Sequence, residues 1–371
     1  MKLIVSTSGT SIFTNNTSQE IRNLINTYTN AQENEIDSQN MERIKRHMEE
    51  RKNQVLNLAQ SRRYDDISKI SAELNGIISY YNRNFYDDYL NNDINIIIHT
   101  DTYLGSKAAE TVEELLREIG FQTVITQKIP FLNTQDITSF RRGVSELIKF
   151  CLETVAGYRA NNYKVVFNLT GGFKSVQGVM QTLGMFYADE VVYIFETSNN
   201  LLRIPKLPVS LSGKDVIKNN INIFRRMIIG EEIVNINEIQ NLPESFFEID
   251  QQGNATISIS GEILWNNHKK EIYREDLYDP PIRQIRFSDN FRNQVRNLSP
   301  DRKVVVNERI DDLYRYIKFN ENPNALNFHR IKGNPIPPST HEFYIWSDLG
   351  HRAYCHYENN IIVIDKIDDH L

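Results

Sequence analysis

Residues 164–175, KVVFNLTGGFKS, place a possible anion-binding loop between a strand and a helix. The apolar run 165–167 is typical of a buried strand, and a helical pattern begins after Gly171 and Gly172. Glycines let backbone amides approach an anion closely, while a helix N-terminus and Lys174 both add positive charge. We therefore predict a site for a phosphate-bearing ligand, although an ordinary strand-to-helix turn would use the same residues.

The spacing of this loop excludes two familiar phosphate-binding motifs. A single residue separates Gly172 from Lys174, so the sequence GxxxxGK[ST] is absent, and GxGxxG is absent as well. We expect the ligand to be bound differently from the nucleotide of a P-loop protein or the dinucleotide of a dehydrogenase.

Two further apolar runs end in loops rich in hydroxyl groups. Residues 3–5 precede the loop STSGTS at 6–11, and residues 94–98 precede HTDTY at 99–103. Helix caps and turns also use Ser and Thr. However, the carboxyl ends of parallel strands share one edge of a sheet, so three such loops favour a binding site. The predicted ligand-binding residues are Ser8, Gly9, Thr10, Ser11, Thr100, Asp101, Thr102, Asn168, Thr170, Gly171, Gly172 and Lys174.

A second group of chemically capable residues lies near the C-terminus. Five of the eight histidines fall within residues 283–371. Strand alternation over residues 351–357 places Arg352, Tyr354 and His356 on one face. Cations, an imidazole and an aromatic ring suit an RNA phosphate and a stacked base, although an ordinary histidine-rich surface is the alternative. The predicted catalytic residues are Arg330, Lys332, Arg352, Tyr354, His356 and His370.

Alternating strand and helix signals over residues 1–208 predict βαβ units and a mainly parallel sheet, an α/β fold. Strands are predicted at 3–7, 94–100, 122–126, 164–168 and 191–196, and helices at 108–119, 142–156 and 173–186. A polar, proline-free stretch from about 34 to 82 predicts one or two long inserted helices. This insert is either a solvated helical hairpin or a dimer arm or lid over the ligand.

The remainder of the chain predicts two smaller domains. Residues 209–282, with an amphipathic helix at 215–229 and short elements after it, suit a linker domain, and a winged helix is possible there. Consecutive prolines in Asp279-Pro280-Pro281 mark a boundary. Residues 283–371 predict a compact α+β unit with helices at 287–298 and 307–319. Its strands are predicted at 326–331, 341–347, 351–357 and 361–367.

Bulk composition limits the possible classes of protein. The chain has 371 residues, of which 40% are hydrophobic and 24% charged, and its net charge of −6 argues against general coating of nucleic acid. Cys151 and Cys355 lie far apart, which fits a reducing cytoplasm and argues against a disulfide framework or a cysteine zinc site. No signal peptide or membrane-spanning run is expected. We therefore expect a cytoplasmic protein without a metal or membrane partner.

Residues 1–208 resemble the CARF domain, the cyclic oligoadenylate sensor of type III CRISPR systems. The resemblance is carried by SGTS at residues 8–11 and NLTGGFK at residues 168–174. It implies a Rossmann-like fold and a homodimer that binds the ligand across its two-fold axis. The implied activator is cyclic tetra-adenylate, with no other cofactor.

Residues 283–371 are similar to the RelE-type mRNA interferase toxins. The similarity is carried by HRIKG at 329–333, by GHR at 350–352 with Tyr354, and by a terminal strand ending in His370. In that family the equivalent of Arg352 contacts the scissile phosphate. Many members carry basic residues on the preceding strand, where this chain has FYIW at 343–346, and others use a histidine near the C-terminus, as His370 is placed to do.

Together the two ends resemble CARF–RelE fusions, the CRISPR-associated mRNA interferases. This resemblance implies a cyclic oligoadenylate-activated, metal-independent endoribonuclease that cleaves mRNA on the ribosome as an ancillary effector of type III CRISPR defence. A CARF-type transcription regulator that binds DNA through its middle region is the alternative. A third possibility is a ring nuclease that degrades its own activator.

Overall fold

The computed structural model describes residues 1–195, 200–206, 213–332, 337–346 and 350–369. The chain divides into two compact units, Met1–Val209 and Ser210–Leu371. The division of the second unit into a linker domain and a C-terminal domain at about residue 282 stays a prediction.

A six-stranded sheet forms the centre of the first unit. Its strands are β1 (Lys2–Thr7), β2 (Ile94–His99), β3 (Thr123–Lys128), β4 (Lys164–Asn168), β5 (Glu190–Phe195) and β6 (Asn200–Pro205). They lie in the order β3-β2-β1-β4-β5-β6, and all neighbours are parallel except β5 and β6. The predicted α/β fold with a mainly parallel sheet is confirmed, but the antiparallel edge strand β6 was not predicted. Glu196, the last residue of one predicted strand, lies outside the described residues.

Ten α-helices accompany this sheet in the described residues. They are α1 (Ser11–Thr14), α2 (Gln19–Thr27), α3 (Ser38–Gln60), α4 (Tyr64–Ile70), α5 (Ala72–Tyr80), α6 (Asp87–Asn92), α7 (Tyr103–Ile119), α8 (Ile137–Phe150), α9 (Ala156–Ala160) and α10 (Lys174–Tyr187). Helix α7 begins earlier than predicted because the Thr102 side chain accepts a hydrogen bond from the Gly105 amide and caps it. The helix predicted at 142–156 begins earlier too, and it passes through a π-helical turn at Cys151–Val155.

The inserted segment is partly a core element. Leu74, Ile77 and Ile78 of α5 are completely buried, in the same apolar cluster as Ile4 and Val166 of the sheet. Their i, i+3, i+4 spacing gives α5 an apolar face that covers the sheet. The interpretation of the whole insert as a solvated hairpin is therefore wrong for α5.

The second unit begins with short helices and a small sheet. Helices α11 (Lys214–Asn219) and α12 (Ile221–Ile228) replace the single helix predicted at 215–229. A three-stranded sheet follows in the order β7-β9-β8, made of β7 (Val234–Asn235), β8 (Phe247–Ile249) and β9 (Asn254–Ile257). Helix α13 (Ile259–Tyr273) completes this region, and its Trp265 packs in a core with Phe224.

The C-terminal region has a separate, mainly antiparallel sheet after two helices. Its elements are β10 (Ile285–Phe287), α14 (Asp289–Arg296), α15 (Pro300–Phe319), β11 (His329–Arg330), β12 (His341–Tyr344), β13 (His351–Glu358) and β14 (Ile361–Asp369). The strand order is β10-β14-β13-β12-β11, with β10 parallel to β14. The predicted α+β arrangement is confirmed. Residues 285–287 form a strand ahead of the first helix, however, and the strand predicted at 326–331 is shortened to His329–Arg330.

A buried ion pair joins α12 to α15 within this unit. The Arg225 Nε–H donates to Asp311 Oδ1 at 2.7 Å, and the Tyr273 hydroxyl donates to Asp311 Oδ2 at 2.7 Å. The Arg225 side chain has no exposed surface. The pair therefore ties residues from the predicted linker region to the first long helix of the C-terminal region.

No helix in the described part of the chain combines the length and the apolar character that crossing a bilayer would require.

Candidate functional sites

The loops that follow β1, β2 and β4 meet at the carboxyl edge of the six-stranded sheet. The Thr7 hydroxyl donates to the Gly171 carbonyl at 2.6 Å, and the Ser8 amide donates to the Ile98 carbonyl at 2.7 Å. A Cβ added to Gly9 would lie only 3.1 Å from the Gly172 Cα. The backbones of the first and third loops are thus packed against each other, and glycine permits that approach.

The predicted ligand-binding residues divide into a buried floor and a more open rim. The floor consists of Ser8, Gly9, Thr100, Thr102, Asn168 and Gly171, and the rim of Thr10, Ser11, Asp101, Thr170, Gly172 and Lys174. Lys174, the first residue of α10, is exposed, and its side chain forms no hydrogen bond or ion pair with another described residue. It is the member of the set best placed to contact an incoming anion.

Beside the floor lies a small crevice with one unpartnered hydroxyl. Ser8, His99 and Phe173 are among the residues that line it. The Ser8 Oγ is buried without a hydrogen-bond partner. His99 Nδ1 lies 2.9 Å from the Thr100 carbonyl, and burial lowers the pKa of His99. The neutral ring must therefore donate from Nδ1, which leaves its Nε2 as an acceptor. His99 was not among the predicted site residues.

A carboxylate of the chain itself occupies the cradle formed by the two glycine loops. Glu73 of α5 is completely buried, and its Oε1 accepts the Gly9 amide at 2.8 Å. Its Oε2 accepts the hydroxyls of Ser11 at 2.5 Å and Ser71 at 2.8 Å. An internal acid thus already accepts the hydrogen bond of the Gly9 amide, and the contact of Gly9 with a ligand stays a prediction. Glu73 lies 64 residues from Gly9 in the chain, and no local pattern pointed to it.

Several other predicted ligand residues use their polar groups inside the protein. Asn168 donates to the Ser6 hydroxyl at 3.1 Å and to the Glu73 carbonyl at 2.9 Å, and its Oδ1 accepts the Thr170 hydroxyl at 2.8 Å. The Thr100 and Thr102 hydroxyls lie 2.9 Å apart. These residues shape the loops, and Thr170 does so although it lies on the rim.

Register places the second candidate site on the outer face of the C-terminal sheet. Tyr344 lies opposite Arg352, and Tyr354 lies opposite Lys366. Ala353 and Cys355 alternate with them and belong to the core on the other face. Arg352, Tyr354 and His356 therefore share the face opposite the core, in agreement with strand alternation.

Register does not place Arg330, another predicted catalytic residue, beside these three. Arg330 pairs with His341, and His341 pairs with Cys355, so Arg330 lies on the opposite face from Arg352. Arg330 therefore does not share the face that carries Arg352, and its catalytic role stays a prediction. Lys332 is exposed beyond the end of β11. His370 lies outside the described residues.

Arg352 lies over an aromatic ring. Its guanidinium carbon lies 3.9 Å from the centre of the Tyr344 ring, and its Nη1 donates to the His351 carbonyl at 3.0 Å. Its Nε is buried without a hydrogen-bond partner. This cation–π contact holds a planar cation that suits two-point contact with a phosphate.

Tyr354 does not have the accessibility that its predicted role requires. The residue is 1% exposed, and its hydroxyl donates to the Asp369 carbonyl at 2.8 Å. Lys366 Nζ lies 5.6 Å from the ring centre. A ring so enclosed is not open to stack on a base, so we assign Tyr354 to the support of the sheet.

His356 is held by a carboxylate that a β-bulge directs toward it. The register of β13 with β14 shifts after Tyr354, so that Lys366 and Ile364 are paired and Asp365 between them is not. Bulges re-aim side chains in this way. His356 Nδ1 lies 2.9 Å from Asp365 Oδ1, and the Ser339 hydroxyl donates to Asp365 Oδ2 at 2.8 Å. Because a carboxylate only accepts, Nδ1 carries the proton, and Nε2 of the neutral ring is left as a base.

Among the described residues, no three His, Cys, Asp or Glu side chains are grouped as metal ligands.

The first unit is thus an α/β protein whose glycine and hydroxyl loops converge at the carboxyl edge of a parallel sheet. Residues 68–207 match the family model described as CRISPR-associated protein (Cas_APE2256). The matched region contains Glu73 and the loops after β2 and β4. The match supports a CRISPR-associated protein. A search of curated proteins found no match.

Proposed function

We propose that the chain is a cyclic oligoadenylate-activated endoribonuclease that cleaves mRNA on the ribosome in type III CRISPR defence. The observation that carries the proposal is the presence of two sites in one chain. The first site is formed by the glycine and hydroxyl loops at the carboxyl edge of the six-stranded sheet, in a unit whose residues 68–207 match a CRISPR-associated family. A separate sheet presents Arg352 and a carboxylate-held His356 on one face.

The rim of the first site supplies the contacts for the activator. A cyclic oligoadenylate with an even number of adenylates is two-fold symmetric, and it fits across the axis of a homodimer. Each subunit would contribute Lys174 and the hydroxyl of Thr10 from the rim. Cyclic tetra-adenylate is the activator that we propose. The ligand shifts the population toward the active state by its higher affinity for that state.

The second site contains groups for RNA cleavage without a metal ion. In the proposed reaction His356 Nε2 removes the proton of a ribose 2′-hydroxyl, and the freed oxygen attacks the adjacent phosphorus. Arg352, with Lys332, stabilises the charge that develops on the phosphate oxygens. The bond to the 5′-oxygen breaks as an acid protonates it, for which His370 is our candidate. The products are a 2′,3′-cyclic phosphate and a 5′-hydroxyl.

The direct test measures cleavage of mRNA on translating ribosomes with and without cyclic tetra-adenylate. We expect cleavage of the mRNA to depend on the ligand. A second assay uses free RNA with a chelator present, and there we expect fragments that end in a 2′,3′-cyclic phosphate. A protein that cleaves neither substrate but retards DNA of its own promoter in a gel would instead favour the transcription regulator.

Reversal of the charge at Lys174 tests the sensor site. Lys174→Glu should weaken binding of cyclic tetra-adenylate about 10–100-fold, because a charged hydrogen bond worth about 1.5–3 kcal/mol is replaced by repulsion. Titration calorimetry measures the affinity. Lys149→Glu, on the exposed side of α8, is the matched control and should bind normally. Equal affinities of the two variants would remove Lys174 from the site.

A further inference from the structure

The cradle between the loops after β1 and β4 is a complete anion-binding site with an internal occupant. Three donors converge on the Glu73 carboxylate, namely the Gly9 amide and the hydroxyls of Ser11 and Ser71. Glu73 is completely buried and forms no ion pair with another described residue. A buried charge is costly unless hydrogen bonds replace its water, and these three contacts do so.

The occupant has almost no room to move. A Cβ added to Gly171 would lie 2.2 Å from Glu73 Oε1, so the loop after β4 lies directly against the carboxylate. A Cβ added to Gly76, one turn further along α5, would lie 2.0 Å from Asn168 Oδ1. Helix α5 is also fixed by the completely buried Leu74 and Ile77. The carboxylate is therefore a permanent part of the cradle.

We infer that Glu73 is a positioning residue of the ligand site, a tethered carboxylate that takes the place of a phosphate in the glycine cradle. It holds the loops after β1 and β4 in one arrangement, and the cradle accepts a small oxyanion when the tether is removed. The phosphates of an external ligand are then confined to the rim at Thr10 and Lys174. This last step rests on the proposed function.

Chemical rescue tests the inference. Glu73→Ala leaves the three donors around a space that formate can enter. We expect the variant to unfold at a lower temperature than the parent protein, and formate to raise that temperature in a saturable manner, as a ligand of the folded state does. Sodium chloride at equal ionic strength should not do so. Glu50→Ala, at an exposed position of α3, is the matched control and should not respond to formate.

The affinity for cyclic tetra-adenylate supplies the second measurement. It should fall about tenfold or more in Glu73→Ala and recover with formate, which a general loss of stability would not produce. Glu73→Gln keeps the volume of the side chain, so this variant should fold but bind the ligand weakly. Formate should not change its unfolding temperature, because the glutamine leaves no space for the ion. Normal ligand affinity in this variant would overturn the positioning role.

The remaining outcomes separate the inference from the proposed function. Failure of formate to stabilise Glu73→Ala, or tighter ligand binding by that variant than by the parent, would overturn the inference. If the parent protein binds no cyclic oligoadenylate while formate still stabilises Glu73→Ala, the proposed function is wrong. The inference that Glu73 occupies an anion-binding cradle is then still supported.

Discussion

Replacing Arg352 by alanine is expected to slow ligand-activated mRNA cleavage about 10²–10³-fold, the usual effect of removing one preorganised donor to transition-state charge. The guanidinium is preorganised because its carbon lies 3.9 Å from the Tyr344 ring centre. Its Nε has no hydrogen-bond partner to give up when a phosphate binds. The measurement is the single-turnover rate on translating ribosomes at saturating cyclic tetra-adenylate.

Two variants make this result specific. Arg352→Lys keeps the charge but loses the planar fork, so we expect it to recover only a small part of the rate. Arg296→Ala removes an exposed arginine at the end of α14 and should cleave at the parental rate. The unfolding temperature of each variant separates lost chemistry from lost folding. A parental rate in folded Arg352→Ala would exclude Arg352 from the reaction.

The common face of Arg352 and His356 could be predicted because strand alternation is a property of a few neighbouring residues. The residues that hold His356 could not be predicted in this way. Asp365 reaches it only because the register shifts beside Tyr354, and the Ser339 hydroxyl that holds Asp365 lies 26 residues away in the chain. The face on which Arg330 lies also follows from pairing, since it depends on the register of β11 with β12.

In the first unit, too, local patterns could be predicted from the sequence, whereas contacts between distant residues could not. Apolar runs followed by polar loops predicted the parallel strands, because their side chains are buried by the helices that connect them. Strand β6 was not predicted, since its residues Asn200–Pro205 alternate weakly and lie at an edge. Glu73 was not among the predicted site residues. Its role depends on tertiary contacts with Gly9 and Gly171, which no local pattern encodes.

The other large effect concerns the fold of the second unit. Asp311→Ala should lower its free energy of unfolding by about 3–5 kcal/mol, because the substitution leaves the completely buried Arg225 guanidinium without its anion. It also removes the acceptor of the Tyr273 hydroxyl. Urea unfolding followed by tryptophan fluorescence suits the measurement, since Trp265 lies in the core beside α12.

Asp301→Ala is the matched control, because Asp301 pairs with Arg274 at the surface, where its side chain is 79% exposed. Exposed pairs contribute only about 0–1 kcal/mol, so this variant should unfold near the parental midpoint. Since Arg225 belongs to α12 and Asp311 to α15, the loss in Asp311→Ala should appear in both regions together. A parental midpoint for Asp311→Ala would contradict the role of the pair. Early unfolding of the helices α11 to α13 alone would show instead that residues 283–371 fold without them, as the three-domain prediction requires.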